Sequence, residues 1–235
     1  MVFSAKDSEQ LRAYFDEHLN EPIKLLVFSQ SVRLPEDPLP IQQELCKDAV
    51  EVMTEIAGHS ELIDVEIAQY DQHRDLAATY NIEQVPAIVV LPQDETQPDP
   101  GLRFYGVPSH YEFLTFLDVL SGLSKGVADL QINTLKALEK LEHDVHIKVF
   151  YTQNCALCPM VTHMAYQFAL ASDKIFTETL DAGEFPQYAQ FYGVKGVPYI
   201  ILNEKTRKMG VRSESDFLKL VQESVSKPCP VLRTA

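Results

Sequence analysis

The chain repeats itself, and this feature constrains its fold more than any other. A shift of 124 positions aligns identical residues without a gap: Leu11 with Leu135, Ile23-Lys24 with Ile147-Lys148, and Pro35 with Pro159. A shift of 112 aligns further identities in the same order: Tyr80, Val85-Pro86 and Ile88 with Tyr192, Val197-Pro198 and Ile200. Because the order is kept and only loop lengths differ, we infer two copies of one structural unit, residues 1–121 and 122–235.

Within each copy, hydrophobic periodicity predicts helices that alternate with strands. Residues 8–19 carry apolar side chains at helical spacing, and residues 23–28 form an apolar run of buried-strand length. The second copy repeats this pattern, with strands predicted at 145–151 and 197–202 and a helix at 159–170. The predicted fold class is α/β, with each unit a central mixed β-sheet flanked by helices.

Two short motifs punctuate this pattern. Ser109-x-x-Glu112 and Ser213-x-x-Asp216 each precede an apolar run and have the form of a capping box, which predicts the last helix of each copy. Glycine and serine between 121 and 127 predict a linker between the copies.

Charge and hydropathy limit the possible partners and locations. The chain has 34 acidic and 20 basic side chains, a formal net charge of -14, which repels nucleic acid backbones and anionic membranes. No segment approaches 18 uncharged apolar residues, and the first 14 residues lack the apolar core of a signal peptide. We therefore expect a cytoplasmic protein without nucleic acid or membrane partners.

Two of the four cysteines stand in a Cys-x-x-Cys motif between a predicted strand and a predicted helix. A cysteine at a helix N-terminus lies beside unpaired N–H groups and the positive end of the helix dipole, which stabilise its thiolate. Cys155 is therefore placed to attack a disulfide, and Cys158, three residues on, is placed to resolve the mixed disulfide. The motif predicts a redox-active disulfide, with no other cofactor and no metal.

Two other interpretations of the same motif stay open. Paired cysteines also hold zinc, but such a site usually has four ligands, and only His163 and Cys229 offer themselves here. Alternatively, both cysteines are inert and buried as small apolar side chains.

Several segments together resemble the glutaredoxin-like protein disulfide oxidoreductases, which are two thioredoxin folds in tandem. The matching features are the strand into Phe150-Tyr151-Thr152, the motif Cys155 to Pro159, the Val197-Pro198 pair before a strand, and the duplication itself. The resemblance implies that Pro198 is a cis proline opposite the cysteines. It also implies that Val197 pairs with the substrate backbone, and we expect Ala156 and Leu157 to contact substrate as well.

The first copy departs from that family at its own site. Ser31 and Leu34 stand where the second copy has its two cysteines, although Pro86 keeps the position of Pro198. Serine has no accessible alkoxide at neutral pH and leucine has no exchange chemistry, so this copy is expected to be redox-silent. The sequence leaves open whether it docks partners or only supports the fold.

The proton acceptor is also left open by the sequence. Thioredoxins have a buried acid six residues before the first cysteine, but Val149 occupies that position here. Glu178 and Asp181, near the end of a strand, are the substitutes that the sequence offers. Cys46 is expected in the core, and Cys229 is expected in a tail of undecided role.

The resulting hypothesis is a thiol-disulfide oxidoreductase acting on protein disulfides, with a thioredoxin-reductase-like flavoenzyme as electron donor. Two alternatives compete with it. The first is an electron shuttle that resembles the N-terminal module of alkyl hydroperoxide reductase flavoproteins. The second is a non-enzymatic scaffold whose groove captures an extended peptide by strand addition.

Overall fold

A computed structural model describes residues 2–30 and 41–225 of the chain. The first copy contains four helices and four strands among these residues: α1 (Ala5–His18), β1 (Ile23–Ser29), α2 (Ile41–Ala57), β2 (Ile63–Gln69), α3 (Arg74–Thr79), β3 (Ala87–Pro92), β4 (Leu102–Tyr105) and α4 (Tyr111–Lys125). The second copy contains the same number: α5 (Ile132–Leu138), β5 (Val145–Tyr151), α6 (Cys158–Leu170), β6 (Ile175–Asp181), α7 (Pro186–Phe191), β7 (Tyr199–Leu202), β8 (Thr206–Met209) and α8 (Glu214–Val225). Ser31, Leu34 and Cys229 lie outside the described residues.

The strands of both copies join into one sheet. Within the described residues the order is β2-β1-β3-β4-β6-β5-β7-β8, and the copies meet where β4 pairs in parallel with β6. In each copy the first two strands are parallel and the others antiparallel, which confirms the predicted mixed sheet and α/β class. The pairing between copies was not predicted. It satisfies the N–H and C=O groups that β4 and β6 would otherwise expose as sheet edges.

Aromatic packing lies directly above this junction. The ring of Phe104 on β4 stacks on Tyr166 of α6, with centroids 4.2 Å apart, and meets Phe116 of α4 edge to face at 4.9 Å. The Tyr166 hydroxyl donates to the main-chain oxygen of Arg103. Helices α4 and α6 therefore lie side by side on one face of the sheet, although they belong to different copies.

The segment predicted as a linker is mostly helix. Helix α4 continues to Lys125 and ends at Gly126, whose φ of 63° is the left-handed conformation that glycine tolerates best. Ser124 is buried because its hydroxyl donates to Glu21 O and accepts from Asn20 N, so it closes the turn between α1 and β1. The predicted boundary after residue 121 thus falls inside α4. The serine had a buried hydrogen-bonding role, which composition alone does not reveal.

Only one of the two predicted capping boxes forms. In the second copy, Ser213 Oγ accepts from Asp216 N at 3.2 Å and donates to its carboxylate. In the first copy, the N-cap of α4 is His110, which makes no side-chain cap bond. Glu112 cannot complete a box there because its side chain turns inward toward α6.

The aromatic junction leads to a stability prediction. Phe104→Ala should lower the free energy of unfolding by about 3–5 kcal/mol, because it opens a cavity between Phe116 and Tyr166 that the sheet cannot close. Phe191→Ala is the matched control, since Phe191 is 78% exposed whereas Phe104 is 4% exposed. Urea unfolding at pH 7 measures both. Equal losses in the two variants would show that the aromatic junction does not stabilise the protein.

Candidate active site

The two cysteines of the motif are joined by a disulfide at the end of β5. Their Cα atoms are 5.4 Å apart. The loop after Tyr151 turns through two main-chain hydrogen bonds, from Cys155 N to Thr152 O and from Cys158 N to Cys155 O. Helix α6 begins at Cys158, one residue before the predicted start, and Pro159 occupies its first turn, where proline costs no hydrogen bond.

The two sulfurs differ in their access to solvent. Cys158 is fully buried, whereas Cys155 is partly exposed, and Ala156 and Leu157 between them are exposed. An incoming sulfur can therefore reach Cys155 and not Cys158. This asymmetry follows from the helix start, which places the first residue of α6 against the core and leaves the preceding turn at the surface.

Pro198 lies beside this loop. In the antiparallel register Phe150 pairs with Tyr199, so Pro198 lies next to the end of β5 from which the loop departs. The Val197–Pro198 bond is cis, as expected, and so is Val85–Pro86 in the first copy. Pro198 is buried and Val197 is partly exposed. Pro86 holds the equivalent position beside β1, but the rest of the predicted degenerate site lies outside the described residues.

A buried glutamate from the first copy reaches the start of α6. Thr162 Oγ1 donates to Glu112 Oε2 at 2.6 Å and lies 3.2 Å from the main-chain oxygen of Cys158. Glu112 is 4% exposed, and its Oε1 has no partner among the described residues. Burial raises the pKa of Glu112 to about 7, so this carboxyl group can bind or release a proton near neutral pH.

Two more carboxyl groups hold the loop that precedes Cys155. Glu184 Oε1 accepts from Gln153 Nε2 at 3.0 Å, and its Oε2 accepts from Val107 N of the first copy at 3.1 Å. Asp181 Oδ1 accepts from Gly183 N at 2.6 Å. Burial raises the pKa of Glu184 to about 7 and also raises that of Asp181. Both copies thus contribute contacts that fix the loop.

These three carboxyl groups surround one tyrosine. All three raise the pKa of the fully buried Tyr151 hydroxyl, after the larger effect of its burial. The Glu112 and Glu184 carboxyls also each feel the charge of Asp181. Glu112, Asp181 and Glu184 therefore form one acidic cluster behind the disulfide.

Glu178 does not belong to this cluster. It lies on the other face of the sheet, where its carboxylate is 2.9 Å from Lys148 Nζ. Burial disfavours the charge of Glu178, but Lys148 and His146 outweigh burial and lower its pKa to about 2. Lys148 also donates to the Tyr192 hydroxyl at 2.6 Å. An ion-paired carboxylate on the face away from α6 cannot accept a proton from Cys158, whereas Asp181 lies on the correct face.

The position of the thioredoxin acid is apolar, as the sequence indicates. Val149 is buried in the main core, and its β6 partner Thr179 is hydrogen-bonded to the Tyr166 hydroxyl. Sequence reasoning missed Glu112 and Glu184 because the helix and the loop that carry them are distant from Cys158 in sequence. The one available signal, Glu112 in a capping box, pointed to the surface.

The remaining candidate residues are quickly placed. Cys46 is buried in a core cluster with Phe28 and Tyr105. Across residues 2–30 and 41–225, no three histidine, cysteine or acidic side chains are grouped as a metal site would need. None of the helices in that part of the chain is long and apolar enough to cross a membrane.

The raised pKa of Glu112 leads to a stability prediction. The folded protein binds this proton more tightly than the unfolded chain does. The resulting stability is full below the unfolded carboxyl pKa of about 4.3 and is lost as pH rises through 7. Between pH 5 and 8, wild type should lose about 1–3 kcal/mol more than Glu112→Gln, which keeps the acceptor for Thr162 but cannot ionise. Urea titrations at both pH values measure this, with the exposed Glu9→Gln as control. Parallel curves for wild type and Glu112→Gln would contradict it.

Comparisons with known proteins agree with this architecture. Residues 145–222 match a family model described as a thioredoxin domain. A protein disulfide oxidoreductase from Aeropyrum pernix is 26% identical, with a TM-score of 0.81 over 97% of this chain and 96% of that one. A component of the alkylhydroperoxide reductase from Enterococcus faecalis is 21% identical, with a TM-score of 0.81 over 94% of this chain and 100% of that one.

Two curated relatives are similar over part of their length. An NADH dehydrogenase of Ferdinandcohnia aciditolerans is 21% identical over 175 residues, 74% of this chain and 31% of that protein. A component of the alkyl hydroperoxide reductase of Pseudomonas aeruginosa is 24% identical over 120 residues, 51% of this chain and 23% of that protein. The chain thus spans about a third or less of the curated relatives that it matches. It is a tandem thioredoxin-fold protein, oxidoreductase-like in its disulfide motif, and similar over nearly its whole length to a protein disulfide oxidoreductase.

Proposed function

We propose that this chain is a thiol-disulfide oxidoreductase that exchanges disulfides with protein substrates through Cys155 and Cys158. The observation that carries the proposal is the disulfide itself, which has one accessible and one buried sulfur at the start of a helix. An inert structural pair needs no such asymmetry. Exchange with a partner does need it, because one sulfur must meet the partner while the other stays protected.

The exchange balances in two steps. In the reduced protein, the Cys155 thiolate attacks a partner disulfide, so one S–S bond forms and the partner's second sulfur leaves as a thiolate. The Cys158 sulfur then attacks Cys155 Sγ, which releases the partner as a dithiol and restores the internal disulfide. Two electrons pass from this protein to the partner, and the reverse sequence oxidises a partner dithiol.

Glu112 is suited to hold the proton that the second step requires. Cys158 must lose its thiol proton before it attacks, and its burial keeps bulk water away from it. A carboxyl group with a pKa of about 7 at the start of the same helix can take that proton and return it. Asp181 and Glu184 keep Gln153 and the neighbouring loop in place during the exchange.

Substrate and donor follow from the same surface. We propose that the main chain of Val197 pairs with the substrate, and that Ala156 and Leu157 contact it, because all three have exposed surface beside Cys155. A thioredoxin-reductase-like flavoenzyme would return electrons to the disulfide, in the cytoplasm where thiols are kept reduced. No metal and no cofactor beyond the disulfide enter this proposal.

A second candidate function has its own support. The relative from Pseudomonas aeruginosa and the structure from Enterococcus faecalis are both components of an alkyl hydroperoxide reductase. In that case this chain would shuttle electrons from a flavoprotein to a peroxide-reducing partner by the same thiol chemistry. Turnover of a peroxiredoxin disulfide, but not of insulin, by the reduced protein would favour this candidate. The scaffold alternative predicts no turnover of either.

The proposed cysteine roles are tested by trapping. Cys158→Ser should accumulate mixed disulfides with partner proteins, because Cys155 still attacks and no thiol resolves the product. Cys155→Ser should trap none and should have no insulin-reducing activity with dithiothreitol. Non-reducing electrophoresis and mass spectrometry identify the linked sulfur. Equal trapping by the two variants would contradict the assignment.

The proton-holding role of Glu112 is tested by kinetics. Glu112→Gln should slow release of a preformed mixed disulfide on Cys155 by about 10²-fold at pH 6, where the Cys158 thiol most needs a base. The deficit should shrink toward pH 9, where hydroxide competes. Stopped-flow release of thionitrobenzoate follows this step, with Glu9→Gln as control. A deficit that is the same at every pH would reduce Glu112 to a packing role.

A further inference from the structure

Four large apolar side chains lie exposed around the disulfide, and they come from both copies. Leu157 and Met160 beside the cysteines are each 57% exposed, and on α4 Tyr111 is 54% and Leu114 is 66% exposed. Contiguous apolar surface of this kind marks an interaction site more often than scattered single residues do. We call these four residues the apolar collar.

The two halves of the collar are adjacent because α4 and α6 pack together. Asp118 on α4 lies 3.9 Å from the imidazole of His163 on α6, which joins the exposed sides of the two helices. Leu114 lies one turn before Asp118, and Met160 lies one turn before His163. The apolar stripes of the two helices therefore run side by side toward the disulfide.

A protein that exchanges with Cys155 must cover both stripes. Its sulfur has to come within bonding distance of Cys155, and a standard interface of about 800 Å² per partner extends about 16 Å from its centre. Packed helix axes are only about 8–10 Å apart. The α4 stripe thus falls inside the area that such a partner covers.

We propose that the redox-silent first copy docks protein partners through Tyr111 and Leu114 of α4, so that the apolar collar selects proteins whose disulfide is framed by apolar surface. This inference rests on the proposed function and names the partner surface for the same site. Four apolar side chains stabilise a transient complex rather than a permanent one, as turnover requires. Small disulfides reach Cys155 without touching α4, so they gain nothing from the first copy.

The test compares one substitution on α4 with a matched substitution elsewhere. Leu114→Ser should lower kcat/KM for insulin reduction about threefold to tenfold, mainly by raising KM. The rate with the small disulfide dithionitrobenzoate should stay within about 1.5-fold of wild type. Ile132→Ser is the control, because Ile132 is 67% exposed and lies on α5, which packs against α8. It should change neither rate.

The possible failures are distinguishable. Absence of wild-type turnover on both disulfides would overturn the proposed function. Normal wild-type turnover with an unchanged Leu114→Ser rate on insulin would overturn only the collar. Equal slowing on insulin and dithionitrobenzoate would show a structural defect in its place. Sedimentation of a wild-type dimer that Leu114→Ser dissociates would assign the collar to a second copy of this chain and would also overturn the proposal.

Discussion

The parallel pairing of β4 with β6 is the interaction on which the other features of this molecule depend. It converts two four-stranded units into one sheet and fixes α4 beside α6 above the junction. Without it, Glu112 would be a surface residue of the first copy and Phe104 would lose its stacking partner. The unit without cysteines therefore has a physical reason to persist, because it completes the core and the chemistry of the other unit.

Electrostatics at the site follow from the same junction. Three carboxyl groups from two copies are buried around Tyr151, and their desolvation raises their pKa values into or toward the neutral range. A Cβ at Gly106 would collide with the Glu184 carboxylate, so this glycine permits the close approach of the first copy to the loop before Cys155. The Lys148–Glu178 pair on the other sheet face shows the opposite outcome, in which a buried cation keeps a carboxyl ionised.

Part of the site could be predicted from the sequence because its cause is local. A strand, a Cys-x-x-Cys motif and a helix follow one another along the chain, so they place Cys155 and Cys158 without knowledge of distant residues. Pro198 was found through its repeat partner Pro86 and the family resemblance. Ser109 and Glu112 were misjudged as a capping box for the converse reason, since the position of Glu112 depends on a helix whose first residue, Cys158, is 46 positions later.

The sequence by itself determined the duplication, the α/β class and the active disulfide, because periodicity and spacing encode contacts between near neighbours. Only the tertiary structure decided that the two sheets merge, that the presumed linker is helix, and that Glu112 replaces the acid missing at Val149. Each of these depends on contacts between residues far apart in the chain. Such contacts leave no periodic trace in a single sequence, since they are fixed by which edges and faces remain to be buried once the local elements have formed.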